Sequence, residues 1–224
     1  MRNVLKMLLF AASAFAAASA FAQNQQAAVM SGYIGSTAPI AAERPAVKVG
    51  DAWTYSFRDT RYAKPGCDYT LTFKDVTDSK IYGGIEGPQH CVANPAPIFD
   101  RDLNQLSSSG TLAYRPLEFP LEIGKSLQQK FDTSSGNKTW SNDLAITVVG
   151  VENVSVKAGT FKAYRIEAIR KYQGSSINGY HWNGMVIETR WYAPEVKNFV
   201  KRIIIDTGTS PSPIEHELVA YSTK

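Results

Sequence analysis

From Trp53 onward the chain alternates with a period of two, and this limits its fold more than any other feature. Trp53, Tyr55 and Phe57 share one face of an extended segment, while Thr54, Ser56 and Arg58 share the other. Tyr69, Leu71 and Phe73 repeat the arrangement against Thr70, Thr72 and Lys74. Further strands are expected near 81–86, 89–93, 111–115, 126–133, 139–152, 161–172, 185–192, 199–206 and 214–222. Turn chemistry separates them at Tyr82-Gly83-Gly84, Ser135-Gly136-Asn137, Lys157-Ala158-Gly159-Thr160, Gln173-Gly174-Ser175 and Thr207-Gly208-Thr209. Only Asp100–Ser107 and the segment around Glu195 could hold a helical turn or two. With no crossover helices available, parallel α/β folds are excluded. The expectation is an all-β domain, a single strongly curved antiparallel sheet or half-open barrel.

Two details refine that expectation. Ile146-Thr147-Val148-Val149 and Ile203-Ile204-Ile205 are apolar on both faces, so they need cover on each side and belong in the middle of a sheet. The second face must then be closed by the sheet curling on itself, by the 94–120 segment, or by a ligand. Val49-Gly50-Asp51-Ala52-Trp53…Phe57 is also echoed, with the same spacing, by Ile123-Gly124-Lys125-Ser126-Leu127…Phe131. Each reads as a glycine corner feeding a strand, which ordinary hairpin chemistry or an old duplication would both produce.

The amino terminus reads as an address. Arg2 and Lys6 form a positive region, an apolar run follows from Leu8 to Ala18, and Ala20-Phe21-Ala22 supplies small residues for cleavage before Gln23. The apolar run is shorter than the ~20 residues that usually span a bilayer, which favours a cleaved signal peptide over an anchor. Residues 1–22 are therefore expected to be removed, with no transmembrane anchor afterwards. Residues 23–44, rich in Ala, Gln, Ser and Gly, read as a flexible leader, and residues 45–224 as one β domain. No cysteine follows the cleavage site to carry a lipid. A periplasmic or secreted product is expected, in a Gram-negative setting. That compartment is oxidising, so Cys67 and Cys91 are expected to form one disulfide.

Loss of Arg2 and Lys6 takes the formal charge from +4 to +2, too little to argue for a nucleic-acid partner. The charge is uneven, with nine cations against four anions over residues 150–202. That region reads either as a surface for anionic lipid head groups or as a solvated sheet face with cross-strand Arg/Glu pairs, the second being favoured.

No catalytic constellation stands out. There is no nucleophile elbow, no zinc-protease motif and no glycine-rich phosphate loop, and the three histidines lie far apart. In Glu215-His216-Glu217 both carboxylates would face away from the imidazole, so separate surface roles are expected and no metal site. Aromatics carry more signal. Trp53, Tyr55, Tyr164, Tyr180, Trp182 and Trp191 are the candidate ligand-binding residues, against the plainer reading that they fill a β core. Tyr180-His181-Trp182 differs from the rest in sitting between glycines at an expected loop tip.

Four segments taken together carry a family resemblance. They are Val47–Tyr55, Pro116–Lys125, Val154–Phe161 and Thr189–Lys201. Their ordered occurrence resembles the TapB-like exported domains of unknown function and, more distantly, the half-open β-barrels of the lipoprotein carriers LolA and LolB. The resemblance implies a fold and no catalytic residues. It departs from the carriers in lacking the helices that plug their cavity, a task that would fall to the 94–120 segment. The expected function is a non-catalytic binding protein for an apolar or lipid-like ligand, without cofactors. The alternative is an envelope interaction or assembly module gripping a protein partner through strand edges or the Tyr180–Trp182 loop. A hydrolase is the less favoured third reading.

Overall fold

The computed structural model describes residues 41–61, 66–92, 95–106, 114–208 and 210–224. The expected signal peptide and residues 23–40 of the expected leader lie outside them. Among the described residues there are twelve strands and no helix. They are β1 (Ala41–Ala42), β2 (Ala52–Asp59), β3 (Cys67–Val76), β4 (Ile81–Glu86), β5 (Ile98–Phe99) and β6 (Leu121–Glu122), followed by β7 (Ser126–Ser135), β8 (Lys138–Val156), β9 (Gly159–Ser176), β10 (His181–Ala193), β11 (Asn198–Asp206) and β12 (Ser210–Ser222). β1 and β6 form a two-stranded sheet. The other ten form one antiparallel sheet in the order β5-β4-β3-β2-β12-β11-β10-β9-β8-β7.

Every neighbour in that order is also a neighbour in sequence except β2 and β12. The sheet is therefore two meanders, β2–β5 and β7–β12, joined where Tyr55 faces Leu218 and Trp53 faces Tyr221. The ribbon is open, since β5 and β7 do not pair, but it curls. The turn between β8 and β9 lies against β12, with the Ala158 amide donating to the Leu218 carbonyl at 3.2 Å and Phe161 edge-on to Tyr221. This is the strongly curved half-barrel that the alternation implies.

The repeated glycine corner starts each meander. Gly50 and Gly124 both have positive φ, 89° and 86°, a region where a Cβ would be strained. The Gly50 amide donates to the Phe73 carbonyl and the Phe73 amide returns to Asp51; the Gly124 amide donates to Val148 and the Val148 amide returns to Lys125. The sequence echo is thus one corner built twice with the same hydrogen bonds.

Inside the curl, alternate residues bury Trp53, Tyr55, Phe73, Leu144, Ile166, Tyr164, Tyr192, Val200 and Leu218. The indole of Trp53 donates to the Val196 carbonyl (2.8 Å) and the Tyr55 hydroxyl to the Phe199 carbonyl (2.8 Å), so their polar tips are satisfied in the core. The described parts of the segment between β5 and β6, residues 100–106 and 114–120, lie against the concave face as a strap. Asn104 pins it like a strand partner, donating to the Leu117 carbonyl and accepting from the Leu117 amide, both at 2.8 Å. Asp102, buried beside it, pairs with Arg44 and Arg115, and Phe119 packs edge-on to Tyr192. Cys67 and Cys91 are joined, which ties the start of β3 to the turn after β4.

Several expectations change. Residues 89–91 form a turn instead of a strand, and Tyr114–Arg115 belong to the strap, with 111–113 outside the described residues. Asp100–Leu106 and Pro194–Lys197 turn without becoming helical. Gly83-Gly84 lie within β4, and Leu71, together with Pro97 and Phe99 around β5, packs where the Gly83 side chain would be. The β9–β10 hairpin turns at Ile177–Gly179, beyond Gly174. Gly174 stays in the strand because the Trp182 indole lies flat over it, leaving no room for a Cβ. Of the two doubly apolar runs, Ile203–Ile205 on β11 is central as expected, whereas Ile146–Val149 on β8 sits one strand from the edge. The end of the expected leader, Ala41–Ala42, is already paired with Leu121–Glu122.

A charged cluster on the concave wall

The β10–β11 pairing sets Arg190 directly opposite Arg202, and the β11–β12 pairing sets Arg202 opposite His216. Two guanidiniums side by side repel. Glu188, two residues before Arg190 and so on the same face, lies between them and is nearly inaccessible to solvent. Its Oε1 accepts from Arg190 Nε and from Arg202 Nε (2.6 Å), and its Oε2 accepts from the Tyr114 hydroxyl (2.6 Å). Tyr114 comes from the strap, and the Arg190 guanidinium lies over its ring. Strap and sheet therefore meet at one carboxylate.

The electrostatics follow from this geometry. Burial opposes ionisation of Glu188, but Arg190 and Arg202 outweigh it and hold its carboxyl well below the usual range. Burial likewise works against the Arg202 charge, and Glu188 more than restores it. Burial pushes the Tyr114 hydroxyl up, and the charge of Glu188 adds to this. His216 shares a 2.9 Å hydrogen bond with the Tyr69 hydroxyl. Burial, reinforced by Arg202, pushes its imidazole down to about 3, so it is neutral at pH 7. Burial raises the Tyr69 hydroxyl to about 12. His216 thus faces the interior, and the expected surface role for it is corrected. Alternation does keep Glu215 and Glu217 on the other face, as expected.

Two cavities meet at this cluster. One, of about 180 Å³, lies between the sheet and the strap and is lined by Tyr55, Tyr69, Phe73, Phe99, Leu117 and Phe199, among others. The second, of about 340 Å³, lies beyond Tyr114 and is walled by Phe131, Ala168, Val186 and Ile204, with Arg170, Glu188 and Arg202. Tyr114 and Arg202 border both. Toward the free end of the hairpins the second cavity shares Thr133 and Arg170 with a wide hollow of about 550 Å³. Trp140, Tyr172, Tyr180 and Trp182 edge that hollow.

The six candidate aromatics are divided among these regions. Trp53 and Tyr164 are core, and Tyr55 is a core residue that also walls the smaller cavity. Tyr180 stacks on Trp182, which meets Trp140 edge-on at the rim of the outer hollow. Trp191 faces the opposite side of the sheet, where its indole donates to Glu152 and Lys201 lies over its ring. Sequence reasoning did not single out Glu188, Arg190, Arg202, Tyr114 or Arg170. Glu188 and Arg190 share the inward register of Tyr192, which was a signal. Their pairing with Arg202 needs the β10–β11 register. The basic stretch 150–202 divides likewise: Arg165 pairs with Glu152 and Glu167 on the outer face, as a solvated sheet would, while Arg170, Arg190 and Arg202 turn inward.

Among the described residues, the sole cluster with metal-ligand geometry is Cys67, His90 and Cys91. With the thiols joined, its sulfurs are not thiolates.

No protein-family model matches this chain, and no curated protein does. Among solved structures the chain is similar to a protein from Bacteroides fragilis assigned as exported, with a YmcC-like fold. The identity is 12%, over 82% of this chain and 100% of that one, with a TM-score of 0.44. It is also similar to a protein from Parabacteroides distasonis assigned as a lipoprotein (11% identity, 81% and 99% coverage, TM-score 0.45). A third is the hypothetical lipoprotein YmcC from Escherichia coli (10% identity, 78% and 86% coverage, TM-score 0.40). The likeness concerns fold alone.

Proposed function

We propose that this is an extracytoplasmic, non-catalytic binding protein that holds an apolar or lipid-like ligand against the concave face of its half-barrel. The observation that carries the reading is the apolar-walled cavity of about 340 Å³ opening from the sheet interior toward the hairpin end. Its size is within the ~300–1,000 Å³ usual for small-molecule sites. An acyl chain there would be held by burial, at about 25 cal/mol per Å² removed from water. The signal-like amino terminus and the disulfide support the location. The charged cluster supports a binding role over a hydrolytic one, since both Glu188 oxygens are occupied by donors that hold the sheet and strap together.

The test is titration of the mature chain with an environment-sensitive hydrophobic dye, alongside native mass spectrometry of protein purified from the envelope fraction. A single saturable site is expected. Thr133→Trp, at the neck between the cavity and the outer hollow, should weaken dye binding about tenfold or more without lowering the melting temperature. Absence of saturable binding and of any co-purified lipid would remove this reading.

A second reading, an interaction module, is favoured by one observation. Ile177 and Tyr180 at the β9–β10 tip are 82% and 69% exposed. A discrete protein adduct from a photo-crosslinker at position 180 in cells, with no dye binding, would favour it.

A further inference from the structure

We propose that the ligand of the larger cavity carries an oxyanion, a carboxylate or a phosphate ester, at the end of its apolar chain, and that Arg170 and Arg202 receive it. This rests on the binding reading above and adds the chemistry of the ligand's polar end.

The wall carries more positive than negative charge. Three guanidiniums, Arg170, Arg190 and Arg202, face the two cavities, and Glu188 is the one carboxylate there. Glu188 is fully engaged, so it offsets one of the three. A buried or half-buried cation without a counter-charge is costly.

Two positive charges remain, and Arg170 is the cation that Glu188 does not touch. Its Nη1 donates to the neutral Asn142 amide oxygen at 2.9 Å, and its guanidinium lies over the Tyr172 ring. Among the described residues no carboxylate comes within ion-pair distance of it. Asp206, the next carboxylate along the wall, borders the outer hollow. It accepts from the Tyr172 hydroxyl (2.9 Å) and the Gly208 amide (3.0 Å). Arg202 binds Glu188 through Nε and borders the same cavity. Guanidinium forks suit planar or tetrahedral oxyanions, because parallel N–H groups can meet two oxygens at once. Phe131, Val186 and Ile204 wall the same cavity beside these cations and would take the chain. One wall therefore offers oil and positive charge side by side.

The experiment uses the mature chain and five probes: a medium-chain fatty acid, the alkyl phosphate, the alcohol and the trimethylammonium of equal length, and inorganic phosphate. Each competes against the dye at fixed salt. The acid, the phosphate ester, or both are expected to bind about ten- to a hundredfold tighter than the alcohol, the size of one or two charge-assisted hydrogen bonds. The acid and ester arms show which oxyanion is preferred, and weak binding of inorganic phosphate shows that the chain is required. Arg170→Gln should abolish the preference of acid and ester over alcohol, and an unchanged melting temperature reports that the variant is folded. Arg170→Lys should restore most of the preference. Equal binding of acid, ester and alcohol, or tightest binding of the ammonium, overturns the oxyanion site and leaves the binding reading intact. If inorganic phosphate alone binds as well as the ester, the site is a free-anion site and the proposal is wrong. No saturable binding by any probe overturns both.

Discussion

At the scale of single residues, the interior depends on proton positions. His216 is neutral in the fold because burial and Arg202 push its imidazole down to about 3, against an ordinary value of 6.5. Between those values the unfolded chain binds a proton that the folded chain does not, so stability falls as pH drops from about 6.5 toward 3. Glu188 acts in the same direction but later, since its carboxyl is lowered from 4.5 and its contribution fades only as pH falls below that value. A urea midpoint measured at pH 7 and pH 5 should therefore drop, and His216→Gln should flatten that interval while leaving the loss below pH 4.5 in place. An unchanged drop in the variant would show that other groups set the acid limb. Little of this was legible in the sequence. Glu215-His216-Glu217 shows which way the imidazole points relative to its neighbours. It does not show whether that side is water or protein, because the answer lies in β3 and β11, more than ten residues away along the chain.

At the scale of elements, the strap is held to the sheet by a few side chains. It has little backbone pairing of its own, and Asn104 substitutes for a strand by bonding both polar groups of Leu117. Asn104→Ala leaves that amide and carbonyl without partners in a buried place, a cost of about 1–3 kcal/mol per group. Hydrogen exchange should then rise across residues 98–106 and 114–119 and stay unchanged in β9 and β10. Uniform protection in the variant would mean that Asp102 and Tyr114 alone hold the strap. Strand existence was readable from patterning, since β2, β3, β7 and β11 fall where it puts them, whereas β10 begins at His181, within the cluster expected at a loop tip. Hairpin ends were not always readable. Gly174 has turn chemistry, yet it serves a neighbouring indole, and glycine reads the same in either use. The strap defeated the pattern for a related reason. Its residues face a curved surface that varies along their length, so no single period describes what they bury.

At the scale of the whole molecule, curvature and apolar excess were legible, while the charged wall was not. Three arginines and a glutamate spread over β9, β10 and β11 become one group only when register is fixed, and alternation within one strand carries no register between strands. The row of Arg190, Arg202 and His216 follows from the β10–β11 and β11–β12 registers. The sheet order has one nonlocal junction, between Ala52–Asp59 and Ser210–Ser222. Each meander can form its hairpins from nearby residues. The junction cannot form until the last strand exists, and the indole of Trp53 and the phenol of Tyr55 likewise find their acceptors only at Val196 and Phe199. Closing so large a loop is slow. A ribosome would release nearly the full polypeptide before the two halves could lock.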